Sequence, residues 1–334
     1  MDNYLITWFY AEKKDDESFY PSVGGNTSSP EYQKVYWRCV YDFYRTAQLT
    51  QTESNVKYLF FTNVPNIPTD IDGFNLAQFF GQAGVKVERL ELTNRTPKDW
   101  YGAWRNQFYL FDVLSYLKNH YVGNFLILDS DIFIMQDLRP AFQDIEHNQM
   151  ISYDCDYGED VSINGISINQ MRELYSKFRG EGDNSKLRYK GGELIGVTSG
   201  LIPKILDCYS KLWKFNYELY WQKEIKLNEE AHFLSVIYHY LDFDDSLANK
   251  YIKRMWTAVK YDNVVQGDEN LALWHLPAEK KYAFEMMFTF LQEDCSKTQY
   301  NHYLRGLLHI PGNKTIRKLR KTMIRIQEKI REKV

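Results

Sequence analysis

The chain has 334 residues, of which 44% are hydrophobic and 25% charged, and its formal net charge is −3. These values are typical of one large globular domain, with or without an appended subdomain, and they exclude a disordered chain. The acidic balance argues against a general nucleic-acid-binding protein, so we expect no nucleic-acid partner.

The sequence also limits where the protein works. Residues 1–10 lack the basic stretch and apolar run of a secretory signal peptide. No run approaches the roughly 18 apolar residues that a transmembrane helix needs. The four cysteines are far apart and show no metal-type pairing, which favours reduced thiols. We expect a cytoplasmic protein, free or held peripherally on the inner face of a membrane.

Strands and helices alternate through the first 135 residues. Strands are predicted at 3–10, 56–62, 85–92 and 125–135, helices at 32–46, 74–83 and 100–118, and a Gly- and Ser-rich loop at 12–30. This alternation predicts an α/β fold with a mostly parallel, Rossmann-like sheet and flanking helices. Ligands bind such sheets beyond the carboxyl ends of the strands.

The second half is less regular. A strand is predicted at 150–153 and a helix at 203–215. Gly191 and Gly192 precede a short apolar run. Asn228 is the expected N-cap of a helix that begins at Glu229, and acidic residues in its first turn suit the helix dipole.

The stretch from 125 to 135 places Asp129, Ser130 and Asp131 between apolar residues. A continuous apolar run predicts a buried strand, in which carboxylates are costly unless they are paired or bind a metal. A strand that continues through the motif points Asp129 and Asp131 the same way, as a partial site for a hard divalent cation. The alternative is a strand that ends at Leu128, followed by ordinary turn residues.

Residues 126–138 resemble the Asp-x-Asp segment of GT-A glycosyltransferases, most closely that of glycosyltransferase family eight. Asp137-Leu138 stands where that family has an Asp-Leu pair. The family also has a His followed six residues later by a Lys, and His275 and Lys281 have this spacing. The resemblance implies that His275 completes the metal site and that Lys281 or Lys280 holds the diphosphate of a nucleotide-sugar, with Asp129 also contacting the donor.

The chemistry of these residue types agrees with the resemblance. Imidazole suits a transition metal such as Mn²⁺, whereas two carboxylates alone suit Mg²⁺ equally. A lysine ammonium is a compact charge for phosphate oxygens. The alternative is a surface loop with a packed Trp274 and a solvated His275.

The sequence departs from the family pattern at three places. Ala278 replaces a glycine of the His-to-Lys motif, and 191–193 replaces an Asn-Ser-Gly type strand entry. Leu110 stands where the family commonly has an Arg ahead of the Asp-x-Asp strand. Arg105 is the candidate to replace that Arg at the donor, and the alternative is a helix-surface charge.

Two glutamates are the predicted catalytic residues. Glu193 follows two glycines, which would let the backbone approach a sugar, so it could bond sugar hydroxyls or face the anomeric carbon. The alternative for Glu193 is a turn residue. GT-A enzymes place an acid facing the acceptor at a comparable helix start, which implies this role for Glu230; the alternative is a dipole-compensating first turn.

Residues 314–334 carry nine Lys or Arg and two Glu, a net charge of +7, so the rest of the chain carries −10. Apolar residues recur there at three- and four-residue spacing, which predicts a basic amphipathic helix. We expect this tail to bind an anionic membrane surface and to be separable from catalysis. The alternative is a helix packed on the body or in a dimeric coiled coil.

Together these features predict a GT-A catalytic domain over 1–285, with a nucleotide-sugar-binding half at 1–135 and an acceptor half at 136–285, then a helical region at 286–334. The predicted activity is Mn²⁺- or Mg²⁺-dependent transfer from a nucleotide-sugar, UDP-linked by preference, to a hydroxyl of a glycan or lipid-linked acceptor, as in surface polysaccharide synthesis. The resemblance favours retention of configuration. The alternatives are a sugar-phosphate nucleotidyltransferase and a non-catalytic carbohydrate-binding protein with a GT-A fold.

Overall fold

The computed structural model describes residues 1–18, 20, 23, 25–103, 105–180, 186–243 and 245–331. Parts of the predicted loop at 12–30 and the last three residues of the predicted tail lie outside the described residues.

The described residues contain nine strands and ten α-helices. The strands are β1 (Asn3–Phe9), β2 (Val56–Thr62), β3 (Val85–Arg89), β4 (Asn124–Leu128), β5 (Ile132–Ile134), β6 (Met150–Asp154), β7 (Lys190–Thr198), β8 (Ile252–Arg254) and β9 (Leu273–His275). The helices are α1 (Pro30–Thr50), α2 (Leu76–Ala83), α3 (Tyr109–His120), α4 (Arg139–Asn148), α5 (Ile168–Arg179), α6 (Ile202–Gln222), α7 (Glu230–Tyr240), α8 (Ala283–Phe290), α9 (Lys297–Leu308) and α10 (Lys314–Arg331).

The larger sheet is mostly parallel. Its strand order is β3-β2-β1-β4-β7-β6, and β7 alone among these strands runs against the others. All five residues of the central strand β4 are buried, as expected for a strand covered on both faces. The predicted fold class is confirmed: a mostly parallel α/β sheet with flanking helices, followed by helices at the C-terminus.

Helices pack in groups around this sheet. Helix α1 contacts α2, α8 and α9, while α6 contacts α3 and α7. Ser29 caps α1 by accepting a hydrogen bond from the Tyr32 amide, and Pro30 occupies its first turn. The aromatic excess fills much of the core; Trp274, Tyr41, Tyr44 and Tyr109 are among the largest fully buried side chains. The predicted alternative of a surface loop with a solvated His275 is wrong, because His275 lies in β9 and is only 4% exposed.

A second, three-stranded sheet has the order β5-β9-β8. Strand β9 lies between its neighbours, with His275 opposite Ile132 of β5 and Arg254 of β8. The segments 252–254 and 273–275 are far from β4 in the sequence, and this sheet brings them beside the chain that leaves β4.

Two expectations about the environment have structural counterparts. Cys39, Cys155, Cys208 and Cys295 are all buried and none forms a disulfide. Within the described ranges, no helix is both long enough and apolar enough to span a bilayer.

Candidate functional site

A cavity of about 420 Å³ opens at the carboxyl edge of the parallel strands. Trp8 near the end of β1 and Asp129 after β4 line it. Because β7 runs the opposite way, its beginning lies at the same edge and adds Gly192 and Glu193. The volume is in the range of small-molecule sites.

The chain bends at the Asp129-Ser130-Asp131 motif. Strand β4 ends at Leu128, and β5 belongs to the other sheet, so the prediction of one strand through the motif is wrong. The bend arises because the Asp129 amide still bonds the Glu193 carbonyl at 3.1 Å, whereas Ile132 pairs with β9. These are not ordinary turn residues either: both carboxylates line the cavity, and Asp131 is only 3% exposed.

His275 lies beside both carboxylates. Its Nε2 is 3.2 Å from Oδ2 of Asp131 and 3.8 Å from Oδ2 of Asp129. Possible ligand atoms of the three residues all lie within 4.8 Å of one another. The register of β9 against β5 produces this proximity, since it sets His275 opposite Ile132, the residue after Asp131.

Two carboxylates and an imidazole at this spacing can hold a divalent metal ion. The side chain of Asp129 is 34% exposed, so the cluster is open to the cavity on its side. His275 offers Nε2 to this side while Nδ1 faces Glu193 at 3.3 Å, as is typical of a metal-ligating histidine. The residues present fit a metal.

The two predicted phosphate lysines have different surroundings. Lys280 is buried, lines the cavity, forms an ion pair with Asp131 and lies 5.6 Å from the ring centroid of Tyr36. Lys281 is exposed and is not among the residues that line the cavity. A turn at Pro277–Glu279 separates His275 from Lys280 and directs Lys280 back to Asp131. The structure therefore favours Lys280 over Lys281 as the phosphate contact.

The charges of this cluster are strongly coupled. Burial opposes charge on Asp131, but Lys280 and His275 outweigh it and hold the pKa of that carboxyl far below its ordinary value. Burial and the neighbouring Asp131 raise the pKa of Asp129 to about 6. Burial lowers the pKa of an imidazole, yet Asp131 and Glu193 overcome this and raise the pKa of His275 to about 9. The protein's own cations thus balance its carboxylates.

Glu193 contacts His275 and Arg254. Arg254 donates from Nε to Oε1 at 2.8 Å and from Nη2 to Oε2 at 2.5 Å, and His275 Nδ1 lies 3.3 Å from Oε1. Burial would raise the pKa of this carboxyl, but Arg254 and His275 lower it to about 2. Both oxygens are occupied by the protein, so Glu193 orients His275. The predicted role of Glu193 as a catalytic group at a sugar does not fit this geometry.

We expect Glu193→Gln to weaken Mn²⁺ binding by about 10- to 100-fold, because a carboxylate behind a metal-ligating histidine sets its tautomer and orientation. The measurement is a calorimetric Mn²⁺ titration of each protein. Glu159→Gln is the matched control, since Glu159 pairs with Arg172 on the surface and is 60% exposed. Unchanged Mn²⁺ affinity in a folded Glu193→Gln protein would show that the contact between Glu193 and His275 does not contribute to metal binding.

The glycines before Glu193 make room for protein carboxylates. A Cβ at Gly191 would lie 2.2 Å from Oε2 of Glu193, and a Cβ at Gly192 would lie 2.7 Å from Oε1 of Glu230. Side chains of the protein, and not a sugar, therefore explain why glycine is needed at these two positions.

The beginning of α7 presents Glu230 to the cavity. Its Oε2 is buried and has no hydrogen-bond partner among the described residues. Burial, Glu229 and Asp129 raise the pKa of Glu230 well above its ordinary value. An unpartnered buried carboxyl is costly, so this side chain is placed for a ligand rather than for stability.

Glu229 differs from Glu230 because hydrogen bonds from the protein occupy both of its carboxylate oxygens. It accepts hydrogen bonds from the Tyr189 hydroxyl and the Asn164 amide, and burial raises its pKa to about 7. Asn228 is not the helix cap that the sequence predicts: its side chain bonds Asn164 and Lys226, while the ring of His232 accepts from its backbone amide.

Arg105 lies elsewhere. Its guanidinium donates to the carbonyls of Glu17 at 3.3 Å and Thr96 at 3.2 Å, and it is not among the cavity residues. The predicted donor contact by Arg105 is not supported, because its guanidinium already joins two loops through these hydrogen bonds. The alternative of a surface charge is also wrong, since Arg105 is buried.

Sequence reasoning missed several residues of the site. Arg254, Tyr36, Trp8, Trp256, Tyr157 and Tyr189 all line the cavity. The only available signal for Arg254 was a basic residue at the end of a short strand. The aromatic residues gave none, because the same residue types fill the core.

No protein-family model matches this sequence, and comparison with curated proteins finds no match either. Among solved structures, the apo form of the glycosyltransferase GlyE of Streptococcus pneumoniae TIGR4 has a similar chain course, with 12% sequence identity and a TM-score of 0.45. The likeness covers 91% of this chain and 63% of that one, so this chain spans less than two thirds of GlyE. A likeness of this degree assigns nothing to this chain by itself.

Proposed function

We propose that this protein is a metal-dependent glycosyltransferase of the GT-A type, which moves a sugar from a nucleotide-sugar, UDP-linked by preference, to a hydroxyl of a glycan or lipid-linked acceptor. One observation carries the proposal. Asp129, Asp131 and His275 converge at the carboxyl edge of a mostly parallel sheet, with Lys280 against Asp131, in an aromatic-lined cavity.

The charge balance of the cluster suits a diphosphate. Three carboxylates, those of Asp129, Asp131 and Glu193, face the two permanent cations Lys280 and Arg254. Only neutral imidazole binds a metal, so with a divalent ion at the site this set has a net charge of about +1. A donor diphosphate offsets that excess, and Lys280 is the residue we assign to its oxygens.

A bound Mn²⁺ or Mg²⁺ would supply Lewis-acid stabilisation of the charge that develops on the leaving diphosphate. The protein's own groups do the rest. Tyr36 and Trp8 line the cavity from the first half of the chain and Tyr189 and Tyr157 from the second, and we assign this aromatic lining to the base and the sugars of the substrates. In the transfer, the acceptor oxygen bonds to the anomeric carbon as the bond from that carbon to the diphosphate oxygen breaks.

Glu230 is the residue we assign to the sugar hydroxyls at the reacting centre. Its Oε2 has no hydrogen-bond partner among the described residues, and its raised pKa favours the protonated form, which can donate a hydrogen bond. Both oxygens of Glu229 beside it already accept hydrogen bonds from the protein, so the proton of the acceptor hydroxyl passes to the departing diphosphate or to solvent.

A thermal-shift screen of nucleotide-sugars tests this proposal. We expect one class of nucleotide-sugar to raise the melting temperature with Mn²⁺ and not with EDTA, and that donor to be hydrolysed slowly without acceptor. Synthesis of a nucleotide-sugar from a nucleoside triphosphate and a sugar phosphate would instead identify a nucleotidyltransferase. Donor binding with neither hydrolysis nor transfer would identify a binding protein.

A further inference from the structure

The first turns of α10 are anchored in the body of the protein through buried ion pairs. Arg317 is 2% exposed and donates from Nε to Oδ2 of Asp262 at 2.8 Å and from Nη2 to Oδ1 at 3.1 Å. The same guanidinium also bonds the carbonyls of Val264 and Gly312. The helix therefore begins as part of the fold, and the expectation of a tail separable from the body does not hold.

A second buried acid faces the next turn of the helix. The side chain of Glu279 is fully buried, and its Oε1 lies 2.8 Å from both Nη2 of Arg320 and Nζ of Lys321. The Thr257 hydroxyl bonds the same oxygen. Removal of α10 would leave Glu279 and Asp262 as buried carboxylates without these cations, which is strongly unfavourable.

Both acids belong to loops that form the cavity. Glu279 lies between Pro277 and Lys280, which line the cavity, and Lys280 forms the ion pair with Asp131. Asp262 pairs through its backbone with Thr257, whose neighbour Trp256 also lines the cavity. Helix α10 therefore supports two loops that line the cavity, one of which carries Lys280 beside the candidate metal site.

The other side of α10 is apolar and exposed. Ile316, Leu319, Met323 and Ile326 are 47%, 60%, 61% and 52% exposed and recur at spacings of three, four and three residues. Such a stripe on one helix face marks an interaction surface.

The basic residues of α10 indicate which kind of partner binds the apolar stripe. Lys314 and Lys318 are exposed, and the sequence adds Arg325, Lys329 and Arg331 along the same helix. Two copies of so basic a segment repel each other, whereas each basic residue near an anionic lipid surface adds about 1 kcal/mol of attraction.

We propose that the stripe docks on an anionic membrane, and that the contacts of α10 with Asp262 and Glu279 couple this docking to the metal site. By linkage, lipid binding and metal binding then strengthen each other equally. The coupling rests on the metal site of the proposed function, but its readouts are vesicle binding and Mn²⁺ binding, so failure of sugar transfer would not affect them.

The docking is tested with the full chain on vesicles of phosphatidylglycerol and phosphatidylcholine in equal parts, and on phosphatidylcholine alone. We expect sedimentation only with the anionic vesicles, and a fall of about tenfold or more in partitioning for Leu319→Ser/Met323→Ser, since each side chain buries apolar area. Val122→Ser is the control, because Val122 is 73% exposed and precedes β4 at the opposite edge of the sheet. Equal partitioning of the double variant and the wild type would overturn the docking. It would also be overturned if neither protein bound vesicles and the wild type self-associated through a contact that the double variant lacks.

The coupling is tested by Mn²⁺ titration with and without the anionic vesicles, with Asp129→Asn as the blank for Mn²⁺ bound by lipid. We expect the vesicles to tighten Mn²⁺ binding about fivefold or more in the wild type. Glu279→Gln/Arg320→Met/Lys321→Met removes the buried charge together with its partners, so it should fold and bind vesicles but lose this gain. A vesicle effect that is absent in the wild type, or fully retained in the triple variant, would overturn the coupling.

Discussion

Asp129→Asn is expected to abolish metal-dependent donor binding and to leave the protein folded. Asp129 is 34% exposed and its nearest cationic contact is His275 at 3.8 Å, so little of the fold depends on its charge. Loss of a ligand that helps to stabilise a leaving diphosphate should cost several kcal/mol, or about 10²- to 10³-fold in kcat/KM. The measurements are calorimetric donor titration with Mn²⁺ and steady-state kinetics.

Asp131→Asn should have the same effect on the donor, but at a cost in stability. Asp131 is 3% exposed and is paired with Lys280 and His275, so its loss strands buried charge, at roughly 3–5 kcal/mol. Asp131→Asn/Lys280→Met should recover part of the stability without recovering metal binding.

Asp137→Asn is the control for both variants. Asp137 follows the same motif, but it bonds Arg139 and does not line the cavity, so donor affinity and turnover should match the wild type. Wild-type donor affinity and turnover in folded Asp129→Asn would remove the basis for the metal site.

Glu230→Gln should lower kcat by about tenfold, because the amide that replaces the carboxylic acid donates a weaker hydrogen bond to the sugar hydroxyl. Its stability should be unchanged or higher, because Oε2 of Glu230 has no hydrogen-bond partner in the part of the chain that the structure describes. Glu229→Gln is the matched variant one residue away. It loses an acceptor for the Asn164 amide, so we expect it to lose about 1–3 kcal/mol of stability. Turnover of Glu230→Gln at the wild-type rate would exclude Glu230 from the reacting centre.

The pH dependence of stability gives a second measure of Glu230. Its pKa is raised in the folded state, so as pH rises above the ordinary glutamate value the unfolded chain loses a proton that the folded chain keeps. The wild type therefore loses stability with rising pH, by up to about 1.4 kcal/mol per unit for each such group. Glu229 acts the same way up to about pH 7. Urea unfolding in EDTA between these limits should show a shallower decline for Glu230→Gln, and an equal slope would contradict the assignment.

Residue patterns alone predicted the order of the first strands and helices. Strand β2 begins and ends where its apolar run does, at Val56 and Thr62. The alternation of strands and helices was enough to predict a mostly parallel sheet with a site at its carboxyl edge, because local periodicity and chain connectivity leave few alternatives. Helix ends were less accurate: α6 extends seven residues past the predicted end at 215, because a partly buried aromatic face continues to Tyr220.

The sequence by itself determined the chemical character of the site: two carboxylates in an apolar stretch, and the resemblance that linked them to His275 and a lysine. The tertiary structure decided what each residue contacts. The pairing of β5 with β9 bent the chain at Asp129, and the register of β8 brought Arg254 to the edge where Glu193 holds His275. The turn after His275 selected Lys280 over Lys281, and α10 became part of the site's support. The physical reason is that periodicity shows which residues are buried, whereas contacts between residues far apart in the sequence are set by sheet register and helix packing, which no local pattern encodes.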